Sequence, residues 1–242
     1  MKTYGQYCPI ARAAEILATR WTPLILRNLL LGARTFGEIA DGAPGIPRSL
    51  LVSRLRELER TGVIAREPHP AGRGSVYAMT SAGEDLRNVM LALGTWGERW
   101  MELAPEHIDP GVVLSSWVRW YLAVDRLPDE RVVVRFDFPD RTRKSNQLWI
   151  LFDGPRSEVC RTFPGYAEDV IVTLDSRTLT EWHLGRVTWA DALRAGQLEV
   201  AGVPRFADDL PTWNRLSGWA HMDDVHPMRD ASSGERASQP PP

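Results

Sequence analysis

Between Gly45 and Arg73 the chain carries six arginines (48, 54, 56, 60, 66 and 73) against three acids (Glu57, Glu59 and Glu67). The formal net charge of the whole chain is −2. Any attraction to a polyanion therefore comes from a local patch and not from the overall charge. The segment "GIPRSLLVSRLRELERTGVIAR" opens at Pro47 and closes at Gly62, the usual marks of a helix. At about 100° per residue, Leu51, Leu55 and Leu58 share a narrow arc, while Ser49, Ser53, Arg56 and Arg60 point the opposite way. Arg48 and Val52 sit on the flank near the helix start. Guanidinium forks suit bidentate contacts to guanine edges or phosphates, small hydroxyls permit close approach, and a helix N-terminus adds affinity for phosphate.

Other reactive residue types form no catalytic pattern. The histidines (69, 107, 183, 221 and 226) show no metal-ligand spacing, and there is no GxSxG motif or phosphate-cradling glycine loop. The sequence predicts no enzyme, no metal and no cofactor. Its two cysteines, Cys8 and Cys160, form neither a disulfide framework nor a zinc pattern, which fits a reducing compartment. Cys8 directly precedes Pro9 at a predicted helix start, where the helix dipole favours a thiolate. This makes it a candidate sensor of oxidants or electrophiles, against the alternative of a small packing residue. No apolar run reaches signal-peptide or membrane-span length, so a cytoplasmic protein with no membrane partner is expected.

The elements around the basic segment complete a pattern. Helices are predicted at "PIARAAEILA" and at "TPLILRNLLLG", the latter capped by Thr22. A short helix at "TFGEIA" starts with a Thr35–Glu38 capping box. After the basic helix, "VIARE" and "SVYAM" read as two strands, and the loop between them presents Arg73 between glycines, suited to a minor groove or the sugar–phosphate backbone. A helix capped by Thr80 or Ser81 and running to about Glu102 follows. Its apolar stripe (Leu86, Met90, Leu93, Trp96, Gly97, Trp100) suits pairing with a second copy. Helix, short helix, turn, helix and two-stranded wing in this order make a winged helix-turn-helix.

The quoted segments, together with "CPIARAAEILATRWTPLILRNLLLGARTFGEI" and "YAMTSAGEDL", resemble the HxlR-type winged-helix regulators over residues 5–102. The resemblance implies a homodimer joined through the first and last helices of the block. It also implies two recognition helices in successive major grooves of a palindromic operator. By position it carries DNA-contacting roles to Arg48, Ser49, Ser53 and Arg56 on the helix and to Arg73 in the wing. Some members of the family sense quinones, aldehydes or oxidants through a cysteine near the position of Cys8.

The predicted domains are 1–104, a linker at 105–111 ("APEHIDPG" with Ala104), 112–220, and a polar, Pro/Ser-rich, disordered tail at 221–242. Seven of the ten tryptophans fall after the linker. The second block reads as an α+β domain, an antiparallel sheet with helices on one face. From Asp169 onward, "VIVTLDSRTLTEWHLGRVTWADALRAGQLEVAG" resembles the sterol carrier protein type-two-like fold. That resemblance implies a tunnel for an apolar effector, with Trp117, Trp120, Phe136, Trp149, Phe152 and Leu179 as candidate lining residues. Each of these aromatics could equally be plain core. A ligand in this domain would act by changing the spacing of the two recognition helices. Two further readings remain open: a regulator signalled through Cys8 with a purely structural second domain, and a lipid carrier whose winged helix serves protein contacts.

Overall fold

A computed structural model of the chain describes residues 3–70, 72, 74–142 and 146–220. The wing-tip Arg73 and the tail 221–242 lie outside the described residues. The described chain forms two compact units, Met1–Leu93 and Gly94–Pro242.

The first unit begins with α1 (Pro9–Leu17), which starts at a proline preceded by Cys8. Helix α2 (Thr22–Leu30) differs from the sequence expectation at its cap. Trp21, not Thr22, occupies the cap position, with φ 77°, and Thr22 is the first helical residue. The left-handed backbone at Trp21 is unusual for a bulky side chain. The turn is held by the Thr22 amide donating to the Thr19 carbonyl at 3.0 Å, and Thr22 is only 2% exposed, so its side chain is part of the core. Helix α3 (Phe36–Asp41) opens with the expected capping box between Thr35 and Glu38. Helix α4 (Arg48–Arg60) follows Pro47 and stops at Gly62, whose φ of 74° ends the helical path.

Strands β1 (Ile64–Pro68) and β2 (Ser75–Met79) pair antiparallel with Ile64 opposite Met79 and Arg66 opposite Tyr77. A third chain segment joins them: Thr35 bridges Val76, and the Tyr77 amide donates to the Arg34 carbonyl at 2.7 Å. The long helix expected after the wing is divided. Thr80 caps α5 (Ser81–Glu84), and α6 runs Leu86–Trp100. The first of these helices packs closely on the wing base: a Cβ on Gly83 would lie 2.2 Å from the Val63 carbonyl oxygen. That approach pins the first turn to the wing base, where the Thr80 hydroxyl also donates to Gly62 O at 2.6 Å. The helix then restarts at Leu86.

In the second unit, Asp109 caps α7 (Pro110–Ser116), which passes into a π-helical turn at Trp117–Tyr121. Strands β3 (Val132–Asp137), β4 (Gln147–Phe152) and β5 (Glu158–Cys160) form a meander. Then come β6 (Val170–Leu174), α8 (Ser176–His183), α9 (Trp189–Arg194), β7 (Leu198–Gly202) and α10 (Pro204–Asp209). The sheet order is β5-β4-β3-β6-β7. It is not the all-antiparallel sheet expected from the sequence, because β3 and β6 run parallel. The meander leaves β5 pointing the same way as β3, and the segment 161–169 carries the chain back to the starting end before β6 begins. A parallel pairing on the free side of β3 is the result.

Strand alternation sorts the side chains of this sheet into two sets. Val132, Val134 and Phe136, with Leu148, Ile150 and Phe152, face the main core built with the helices. Val133, Trp149 and Leu151 form a separate cluster on the other face. Within the core lies a buried histidine. His183 is 6% exposed, its Nδ1 lies 3.1 Å from Asn214 Nδ2, and the Tyr121 ring stands edge-on to it. Burial drives its pKa from the ordinary 6.5 down to about 4, with the Asn214 contact opposing the shift.

Candidate nucleic-acid interface

Helix α4 divides cleanly into a buried and a free face. Leu51, Leu55 and Leu58 are 0, 1 and 1% exposed. Arg48, Ser49, Ser53, Arg56 and Arg60 are all exposed. The leucines seat the helix in the core of the unit, and the polar residues on the far side stay at the solvent-accessible surface. Arg54 is committed elsewhere, in an ion pair with Glu57 at 2.8 Å. Among the described residues neither Arg56 nor Arg60 makes an ion pair. Arg48 lies over the Phe36 ring at 5.2 Å, so α3 restricts the directions its guanidinium can take.

The turn between α3 and α4 is fixed by a polar lock absent from the sequence expectations. Asn28, fully buried on α2, donates to the Ile39 carbonyl at 3.0 Å and accepts from Arg27 Nε at 3.2 Å. Arg27 Nη2 reaches on to the Gly42 carbonyl at 2.5 Å. A Cβ on Gly42 would meet Asn28 Nδ2 at 2.5 Å, so the glycine is a close-approach position. A polar residue on the core side of an amphipathic helix was the available signal for this lock.

In the wing, Arg66 is exposed and donates from Nε to Ser75 Oγ at 2.9 Å. This holds the side chain along the hairpin. Cys8 is half-buried at the start of α1. Exposed apolar side chains of the unit include Tyr7 just before α1 and Ile10 on it, 95 and 79% exposed, and Val89 and Leu93 on α6, 45 and 50% exposed. On the later turns of α6, Trp96 is also half exposed.

The six residues predicted to line an apolar tunnel do not share one surface. Trp117, Phe136, Phe152 and Leu179 come together, but by packing on one another. Trp117 lies 6.1 Å from Phe136 and 5.5 Å from Phe152, centroid to centroid, and its Nε1 donates to the Trp213 carbonyl at 3.0 Å. Trp149 is on the opposite face of the sheet, one residue out of phase with Leu148 and Ile150. There its indole donates to Glu168 at 3.2 Å and meets Phe163 edge-on. Trp120 is half-buried and outside the main core cluster.

With this geometry in hand, comparison with known proteins is specific for the first unit. A family model described as HxlR-like helix-turn-helix matches residues 16–105. The HTH-type transcriptional regulator sll1512 of Synechocystis sp., itself uncharacterized, is 35% identical over 99 residues, covering 40% of this chain and 73% of that protein. The chain belongs to the HxlR-like helix-turn-helix family. A second relative, the uncharacterized HTH-type transcriptional regulator YvaP of Bacillus subtilis, is 32% identical over 107 residues, covering 43% of this chain and 97% of that protein. The solved structure of the reduced transcriptional regulator YodB of B. subtilis is 30% identical, covers 41% of this chain and 99% of that chain, and superposes with a TM-score of 0.36. The residues matched by the family model include all of α2, α3, α4, β1, β2 and α6. Among the described residues no helix is long and apolar enough to cross a membrane, and no three His, Cys, Asp or Glu side chains are placed to hold a metal ion.

Proposed function

We propose that this HxlR-type chain is a dimeric transcriptional regulator that binds double-stranded DNA through α4 and the wing, at an operator with twofold symmetry. The observation that supports it is the free polar face of α4. Arg48, Ser49, Ser53 and Arg56 point to solvent while Leu51, Leu55 and Leu58 are sealed in the core. Arg48 and Arg56 are set to read base edges or phosphates, Ser49 and Ser53 let the helix approach closely, and Arg66 and Arg73 extend the contact along the wing. The exposed apolar residues of α1 and α6 supply the surface for a second copy, which places two recognition helices on one duplex.

The second unit is proposed as a sterol-carrier-like module. Its interior aromatics are packed against one another, so an apolar effector there has to part Trp117 from Phe136 and Phe152. Operator binding is tested by fluorescence anisotropy with the DNA upstream of the protein's own gene. Affinity should fall steeply with salt, and Arg56→Ala should weaken it roughly 10-fold or more and lower the salt slope by about one. Salt-independent or undetectable binding by the unaltered chain sinks the proposal.

A further inference from the structure

Beside the recognition helix lies a cleft whose shape and lining operator binding alone leaves unexplained. It has a volume of about 750 Å³ and runs between the face of α1 that carries Ala14, Glu15 and Ala18 and the face of α4 that carries Ser53, Arg56, Glu57 and Arg60. Pockets that hold small molecules span roughly 300–1,000 Å³. Both carboxylates on its walls are already engaged. Glu57 is paired with Arg54 at 2.8 Å. Glu15 accepts from the Thr3 hydroxyl at 2.8 Å and the Tyr4 amide at 2.7 Å, and these donors, led by Thr3, hold its carboxyl below the usual range. The guanidiniums of Arg56 and Arg60, one helical turn apart, have no such partner among the described residues. Arg54 also belongs to the lining, and its Nε is buried with no acceptor among the described residues. The opposite wall offers the methyls of Ala14 and Ala18.

We propose that this cleft binds a small organic carboxylate, with its anionic end on the arginines of α4 and its apolar body on Ala14 and Ala18. Paired guanidinium donors match a carboxylate in geometry and charge. Ser53 and Arg56 belong both to the cleft and to the DNA-reading face, so carboxylate and operator exclude each other. This last consequence rests on the operator-binding function proposed above; the site itself does not. The carboxylate acts on the reading head directly, independently of any ligand in the second unit.

The test is calorimetric titration of the full chain with sodium benzoate at constant ionic strength, with inorganic phosphate and chloride as separate arms. Benzoate should bind, and phosphate and chloride should bind at least 10-fold more weakly. Arg60→Ala, which removes an exposed charge, and Ala14→Leu, which enlarges a side chain on the α1 wall and fills the space beside it, should each weaken benzoate 10-fold or more. Benzoate should also release upstream DNA in an anisotropy competition, and should do so less in either variant. The proposal is overturned by absent benzoate binding, by equal binding of phosphate, by unchanged affinity in both variants, or by DNA that stays bound at saturating benzoate. Variant-sensitive benzoate binding by a chain that binds no DNA leaves the site standing and removes only the operator function.

Discussion

His183 offers a quantitative test of the second unit's core. Its pKa is pushed from 6.5 to about 4 by burial, so the folded state holds a neutral imidazole where the unfolded chain takes up a proton. The unfolded state binds more protons between these two values, and stability therefore rises with pH across that window. The contribution is complete above about pH 6.5 and is lost progressively as pH falls toward about 4. With 1.36 kcal/mol per pKa unit, the full loss is about 3 kcal/mol, and about 2 kcal/mol is already gone at pH 5. The perturbation is His183→Asn, which keeps a short polar group facing Asn214 and cannot titrate. The assay is urea unfolding followed by the fluorescence of the core tryptophans, Trp117, Trp182 and Trp213, at pH 7.5, 6 and 5. The variant starts less stable at pH 7.5, since it leaves space beside Tyr121. Other groups titrate equally in both proteins, so the difference between the two profiles isolates the imidazole. The unaltered chain should lose about 2 kcal/mol more than the variant between pH 7.5 and pH 5. Parallel profiles would refute the account of a buried neutral histidine.

Three further expectations concern the first unit and helix α6. Trp96→Glu on α6 should weaken self-association by at least about 2 kcal/mol, read as a shift toward monomer in sedimentation velocity; an unchanged dimer places the interface elsewhere. Gly83→Ala drives a Cβ to within 2.2 Å of the Val63 carbonyl oxygen and should cost at least about 2 kcal/mol, seen as a lower urea midpoint. The same change at Gly97, where an added Cβ would have no neighbour within 4 Å, should be neutral or slightly stabilising and serves as the control. Asn28→Leu removes the donor to the buried Ile39 carbonyl and one acceptor of the Arg27 guanidinium, and should cost about 2 kcal/mol. It should also weaken DNA binding, because the turn that aims α4 loses its lock.

The parts of the fold legible from the sequence are those governed by local rules. The Thr35–Glu38 box, the leucine arc of α4 and the Gly62 stop depend on neighbours within a turn or two, and each stands where periodicity and capping put it. The departures come from contacts between distant residues. The cap at Trp21 goes with the burial of Thr22, and the close packing of α5 brings Gly83 against Val63 across the wing base. The parallel β3–β6 pair depends on where the return segment 161–169 leaves the chain. Strand alternation alone was enough to separate Trp149 from Leu148 and Ile150, but composition grouped it with the other aromatics. The polar face of α4 was legible because a solvent-facing surface follows from helix phase. The cleft beside it was not, because its second wall is supplied by α1, nearly forty residues earlier in the chain.

The position of β3 bears on how the second unit is made. It is the first strand of its sheet to be synthesised, yet it sits in the centre and must wait for β6 on one side. The link is direct: the Val133 amide donates to Asp169 Oδ2 at 2.8 Å across 36 residues. The β3–β4–β5 meander can zip up from adjacent strands, whereas the other side of β3 closes only after a long loop has been ordered. Until then β3 offers the nascent chain an unsatisfied, strongly apolar flank. The interval between synthesis of Cys160 and of Leu174 is thus when this protein is most exposed to mispairing with another copy of itself.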